Sequence, residues 1–261
     1  MTELAASQLS TQHLFGCDFL DRATLDDVVE VLLVDRLLPQ WRCTVTPNVD
    51  HLVRYDRHPE DLEVAQHATL VLPDGMPVVW ASKWLGAPLA RRLTGSDLFA
   101  LLWPRLAAER IPAVVVASTD SIARGLTLEH TAAETIVPPR FDVEDDTAVD
   151  ELVERIVETC AQRRAEFLFV GLSMPKANLL ARRLRARWEG RPSPQVLLVG
   201  AAPDFYLGEA RRAPKWMQDA GLEWLDRLVK EPRRMARRYL VDDPWFIRIV
   251  LRERRRRRHR G

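Results

Sequence analysis

A chain of 261 residues suits one large domain, or a domain with an appendage, and its 47% apolar and 29% charged residues exclude both wholesale disorder and a disulfide-built miniprotein. Cys17, Cys43 and Cys160 are an odd number without metal-ligand clustering, which points to free buried thiols in a reducing, cytosolic compartment. No segment reaches the ~18 consecutive apolar residues of a spanning helix, and the acidic first ten residues lack the basic start and apolar middle of a signal peptide.

A short apolar stretch around Leu14 to Phe19 comes first. Thr24 then caps a helix whose Leu25, Val28, Val29, Leu32 and Leu33 recur at helical spacing. A strand is expected around Cys43 to Thr46, a short helix over Pro59 to Gln66, a buried strand over Thr69 to Leu72, and a helix over Pro77 to Leu85 entered through the Asp74-Gly75 turn. Ser96 to Arg110 reads as helix, Ala113 to Ala117 as a β-branched strand and Asp146 to Arg163 as a long amphipathic helix. Phe167 to Val170 is a strand, Pro175 to Trp188 a helix with proline in its first turn, and Val196 to Val199 a last strand. Helices alternating with short apolar strands predict an α/β fold, a Rossmann-like parallel sheet with helices on both faces.

Beyond Gly200 no strand signal remains, and helical segments are punctuated by Pro214, Pro232 and Pro244. This predicts an α/β body over 1–205 and a helical, Arg-rich appendage over 206–261. From Arg211 to Gly261 the chain holds 17 Lys plus Arg against 7 Asp plus Glu, net +10, so the remainder carries −9 of the overall +1. A positive terminal fifth calls for an anionic partner. Trp245 to Leu251 joins an apolar segment to the arginines that follow. This makes Trp245, Phe246, Arg254, Arg255 and Arg256 candidate contacts to an anionic membrane surface. The competing expectation is an apolar segment docked on the body with a solvated basic tail. The arginines lack interleaved aromatic residues, so nucleic acid is not an expected partner.

The chemistry must come from polar residues at strand ends. There is no phosphate-binding G-x-x-x-x-G-K-[ST] loop, no G-x-G-x-x-G after a strand and no D-x-D pair for a metal–diphosphate complex. The histidines lack ligand spacing, so neither a metal nor a cofactor is expected. Thr46-Pro47-Asn48 and Pro73-Asp74-Gly75 each follow a strand, where parallel sheets bind ligands. Asp74, at the end of the apolar Leu70-Val71-Leu72, is the candidate base, desolvation raising its proton affinity. The alternative is plain turn chemistry at Asp-Gly, with Thr46 and Asn48 as helix caps and Arg92 in a surface pair.

Thr46-Pro47-Asn48, Leu72-Pro73-Asp74-Gly75 and Arg92-Leu93-Thr94-Gly95-Ser96-Asp97-Leu98 resemble, in order and spacing, the WecG/TagA/CpsF family, glycosyltransferase family 26. So do Arg212-Ala213-Pro214-Lys215-Trp216-Met217-Gln218, Gly221-Leu222-Glu223-Trp224-Leu225, Arg227-Leu228 and Glu231-Pro232-Arg233-Arg234. The resemblance covers roughly Thr46 to Leu240. It implies a bacterial, inverting, membrane-associated enzyme moving a sugar from a nucleotide diphosphate, typically UDP-linked, to a polyprenyl-diphosphate-linked saccharide in cell-surface polysaccharide synthesis. By position it makes Asp74 the base, places Thr46 and Asn48 near the sugar, adds Arg92, and sets Arg227, Arg234 and Arg237 against the donor diphosphate. At ~100° per residue, a continuous helix presents those three arginines on one side.

The chain also departs from the family pattern. The family's G-x-G-x-P-x-Q-E stands here as Gly171-Leu172-Ser173-Met174-Pro175-Lys176-Ala177-Asn178, with Gln replaced by Ala177 and Glu by Asn178. Ala117-Ser118-Thr119 replaces a glycine pair, and Pro138-Pro139-Arg140 a glycine-containing turn. Glycines let a phosphate or base approach the backbone, so these changes bear on the donor pocket more than on the fold. The expected activity is transfer of a hexose or N-acetylhexosamine, of N-acetylmannosamine type, without a metal, at the inner face of the cytoplasmic membrane. The rival expectation is a non-catalytic nucleotide-sugar or partner-binding protein of the same fold.

Overall fold

A computed structural model describes residues 9–36, 38, 40–210, 213, 214, 217 and 243–258. The elements in chain order are β1 (Thr11–Leu14), β2 (Cys17–Leu20), α1 (Leu25–Asp35), β3 (Arg42–Val45), α2 (Val49–Arg57), α3 (Pro59–Gln66), β4 (Leu70–Val71), α4 (Met76–Trp84) and α5 (Gly95–Glu109). There follow β5 (Ala113–Val116), α6 (Asp120–Glu129), β6 (Ala133–Ile136), α7 (Asp146–Arg163), β7 (Phe167–Val170), α8 (Lys176–Arg187), β8 (Gln195–Leu198), α9 (Ala202–Tyr206) and α10 (Asp243–Arg258).

The strands form one eight-stranded sheet in the order β1-β2-β4-β3-β8-β7-β5-β6. Among the described strands only β1 runs antiparallel. Alternate strand residues leave opposite faces, and the packing follows that period. Val114, Val116, Leu168 and Val170 join the side covered by α2, α3, α4, α7 and α8. Val115, Phe167, Phe169 and Leu197 join the side covered by α1, α5, α6 and α9. Each fully buried Val, Leu or Phe contributes roughly 1.5–3 kcal/mol relative to exposure. This is the expected α/β architecture, covered on both faces.

Local chemistry explains the helix boundaries. Thr24 caps α1 in a reciprocal capping box with Asp27, and Asp145 caps α7 by accepting from the Ala148 amide at 3.0 Å. The Leu14 to Phe19 stretch is a hairpin. Its two-residue turn needs positive φ at both positions, supplied by Phe15 at 53° and Gly16 at 79°. Two helices and a strand carry no mark in the sequence reading, namely α2, α6 and β6. Arg42 is fully buried at the start of β3, where it donates to the carbonyls of Leu38, Arg36 and Ser193. Burial pulls its pKa down to about 10, and Asp35 opposes that shift.

Most of the expected appendage lies outside the described residues, but its last helix does not. α10 packs on α2 and against the β1–β2 turn, and Phe246 and Ile249 join the same core as the body. Phe246 is 7% exposed, its ring centroid 6.0 Å from that of Phe15. The Trp245 indole donates to Asp56 at 2.9 Å, and the Arg57 guanidinium lies 4.8 Å from the Trp245 ring. Trp245 and Phe246, expected at a lipid surface, are therefore turned toward the protein. Residues at 245, 246, 249 and 250 share the docked side of the helix, and Ile247 and Leu251 are left outside. No helix among the described residues is long and apolar enough to cross a membrane.

Candidate active site

The carboxyl ends of β3 and β4 lie side by side, and three separate sequence motifs meet there. Beyond β3 the chain runs through Thr46, Pro47 and Asn48 into α2; beyond β4 it runs through Leu72, Pro73, Asp74 and Gly75 into α4. The Asp74 amide donates to the Pro47 carbonyl at 3.1 Å, which ties the first two motifs together. The Leu93 amide donates to the Pro73 carbonyl at 2.9 Å and brings the segment holding Arg92 alongside Asp74. Thr46 is buried against Gly95, the first residue of α5: a Cβ on that glycine would lie 3.0 Å from the Thr46 hydroxyl oxygen.

The individual roles follow from these positions. Asn48 caps α2, its side-chain oxygen accepting from the amides of Asp50 at 3.0 Å and His51 at 3.3 Å. The His51 ring nitrogen Nδ1 lies 2.8 Å from that same oxygen. Asn48 is thus a cap and also a member of the cluster, and His51 is a neighbour that sequence reasoning missed. Asp74 is half-buried at the rim, not sealed beneath the apolar strand that precedes it. Gly75 follows it with φ 110°, a conformation open to glycine, and serves as the N-cap of α4 without a side-chain cap. Arg92 is half-buried as well. Three helices, α2, α4 and α5, begin at this rim, and helix N-termini favour an anion.

The rim continues across the sheet. After β5, the Ser118 hydroxyl donates to Asp204 Oδ1 at 2.7 Å, while Asp204 Oδ2 is buried without a hydrogen-bond partner among the described residues. Ser118 belongs to the Ala117-Ser118-Thr119 segment that stands where the resemblance expects a glycine pair, whereas Asp204 carries no mark in the sequence. The only trio of possible metal ligands found among the described residues is His58, Glu60 and Asp61, at the far end of α2 from Asp74. There Arg54 already holds Asp61, at 2.5 Å. The three thiols are buried and pushed up to about 12 by desolvation, which leaves them unreactive. Arg227, Arg234 and Arg237 lie outside the described residues. Arg254, Arg255 and Arg256 lie on the last turns of α10, and the Arg254 guanidinium stacks 3.9 Å from the centre of the Trp84 ring.

Comparison with known proteins matches residues 12–260 to the model of the glycosyl transferase WecG/TagA/CpsF family. The chain belongs to that family. One relative is the N-acetylglucosaminyldiphosphoundecaprenol N-acetyl-beta-D-mannosaminyltransferase of Bacillus spizizenii. It is 25% identical over 257 residues, which is 95% of this chain and 93% of the relative. The protein is accordingly a glycosyltransferase by family.

In this WecG/TagA/CpsF member, Ala177 and Asn178, just after the cis Met174-Pro175 bond, face inward at 4% and 2% exposure. The Asn178 Nδ2 has no hydrogen-bond partner among the described residues. Gly171 directly follows β7. A Cβ there would stand 2.8 Å from the Val116 carbonyl oxygen, a backbone atom that its own amide already bonds at 2.9 Å. Gly171→Ala should therefore destabilise the sheet by about 1–3 kcal/mol, as overpacking does. A urea-unfolding midpoint equal to that of the parent would show that the strand ends give way freely.

Proposed function

We propose that this chain is an inverting glycosyltransferase. It moves an N-acetylmannosamine-type or other hexose unit from a UDP-sugar to a polyprenyl-diphosphate-linked saccharide, in the synthesis of a cell-surface polymer. The reading is carried by the convergence of Thr46, Asn48, Asp74 and Arg92 on one rim where three helices begin. The relative's printed activity supports the donor sugar and the undecaprenyl-linked acceptor.

In this mechanism Asp74 takes the proton of the acceptor hydroxyl as its oxygen attacks the anomeric carbon. The bond from that carbon to the diphosphate breaks on the opposite face, inverting the centre and releasing UDP. Thr46 and Asn48 hold the sugar. Arg92 and, from the appendage, Arg227, Arg234 and Arg237 offset the charge that develops on the diphosphate. The acceptor places the enzyme at the inner face of the cytoplasmic membrane as a peripheral protein.

The test is incubation of the full chain with UDP-N-acetylmannosamine and a short-chain lipid-diphosphate N-acetylglucosamine. Disaccharide product with an inverted anomeric centre is expected. Activity should persist in EDTA, because arginines stand in for a metal; loss on chelation with rescue by Mg²⁺ or Mn²⁺ would assign the diphosphate to a cation. The inward-facing Ala177 and Asn178, in place of the family's Gln and Glu, favour a second reading as a nucleotide-sugar-binding protein without turnover. Calorimetric binding of the UDP-sugar with no product across a panel of donors would establish it.

A further inference from the structure

Once Trp245 and Phe246 are committed to the core, the large apolar side chains exposed around α10 form a different set. On α10 itself Ile247 is 60% and Leu251 46% exposed. They are four residues apart, and Arg254 continues the same stripe three residues on. On α4, Trp80 is 48% and Trp84 46% exposed, again four residues apart on one face. The two stripes meet where the Arg254 guanidinium stacks 3.9 Å from the Trp84 ring. Two exposed indoles on α4 and two exposed aliphatic side chains on α10 are thus linked through Arg254, where soluble surfaces usually scatter such residues singly.

The charge around the patch selects its occupant. α10 holds seven arginines and two acidic residues. Arg252 is taken by Asp56, and Arg257 by Glu253 and the His13 carbonyl. Arg255 and Arg258 remain exposed on the side of the helix that carries Ile247 and Leu251. Tryptophan and aliphatic side chains flanked by arginine are the make-up of a surface that enters a lipid interface. A second copy of the chain would have to bring this same positive end against itself.

We propose that Trp80, Trp84, Ile247 and Leu251 seat the protein on an anionic leaflet, with α4 of the body as one half of the contact. α4 begins at Gly75, directly after Asp74, and at 1.5 Å per residue Trp80 and Trp84 lie about 8 and 14 Å along the helix from that start. One rigid helix then links the leaflet to the candidate base, and holds Asp74 at a set height above the lipid. That spacing suits a hydroxyl on a saccharide whose diphosphate lies among the headgroups. The inference deepens the proposed transfer to a lipid-linked acceptor, and rests on it only for this use of the seat.

The test is sedimentation of the full chain with vesicles of equimolar phosphatidylglycerol and phosphatidylcholine, without donor or acceptor, so its outcome is independent of any transferase assay. The parent should sediment, less so as salt rises and less so with pure phosphatidylcholine. Trp80→Gln with Trp84→Gln should weaken partition by about tenfold, since interfacial binding scales with the apolar area inserted. Ile247→Gln with Leu251→Gln should do likewise. Val34→Gln and Leu128→Gln, at 63% and 84% exposed positions on α1 and α6, should leave it unchanged. Brominated lipid should quench the parent's tryptophan fluorescence more than that of the Trp80/Trp84 variant. Unaltered vesicle binding by folded variants of both pairs would overturn the proposal. So would dissociation of an oligomer with lipid binding retained, which would make the patch a contact between copies.

Discussion

Asp74→Asn should lower turnover by roughly 10²–10⁴ while leaving the fold and UDP-sugar affinity in place, the usual loss when a positioned proton acceptor is removed. The substitution keeps the size and shape of the side chain. The backbone bond from the Asp74 amide to the Pro47 carbonyl, and the one from Leu93 to Pro73, do not involve the carboxylate, so the rim should keep its geometry. An amide cannot accept the acceptor's proton, and the attacking oxygen then remains a poor nucleophile. Single-turnover rates with the lipid-linked acceptor check the size of the loss, and calorimetry with the UDP-sugar checks that binding survives. Turnover equal to the parent would remove Asp74 from the chemistry and return it to the Asp-Gly turn.

The sequence was most readable where periodicity and caps agreed. In α7 the buried Val149, Leu152, Val153, Ile156 and Cys160 recur at helical spacing behind the Asp145 cap, and the predicted and observed bounds coincide. α2 was hidden because Val49, Leu52, Val53 and Tyr55 are set among Asp, His and Arg in a nine-residue helix. β6 was hidden because an edge strand of sequence Ala-Glu-Thr-Ile buries only its last residue. Nothing in Phe15-Gly16 announces positive φ at both positions. That turn is specified by tertiary packing, with the Phe15 ring set against Phe246.

The candidate site divides in the same way. Asp74, Thr46 and Asn48 stand directly after strands, where a parallel sheet presents ligand-binding residues, so position alone marked them. The joining of Arg92 to that rim through the Leu93–Pro73 bond, and the packing of Thr46 on Gly95, are contacts between segments far apart in sequence that no local pattern encodes. His51 and Asp204 were missed because single His and Asp residues carry no spacing signal, and Ser118 was read only as part of a replaced glycine pair. The face of α10 was undecidable for a plainer reason. Positions 245, 246, 247, 249, 250 and 251 are all apolar, so the helix offers two apolar sides and only packing selects one.

That selection gives Phe246→Ala a definite expected outcome. The ring is 7% exposed and packs on Phe15, so truncation should cost about 3 kcal/mol through lost burial and the cavity left behind. Part of that cost falls on α10 alone, because the helix is held to the body by this core contact and by Asp56, which receives both the Trp245 indole and Arg252. Amide hydrogen exchange should therefore quicken along α10 and its partner α2 before the central strands, alongside a lower urea midpoint. Loosening α10 also separates Arg254 from Trp84 and splits the proposed lipid seat between two elements that no longer move together. Vesicle binding should then fall in Phe246→Ala as a consequence of lost stability. In Ile247→Gln with Leu251→Gln it should fall with stability unchanged. If Phe246→Ala kept the parent's urea midpoint and exchange rates and lost only vesicle binding, Phe246 would be a lipid contact after all, and the docked face of α10 would be the wrong one.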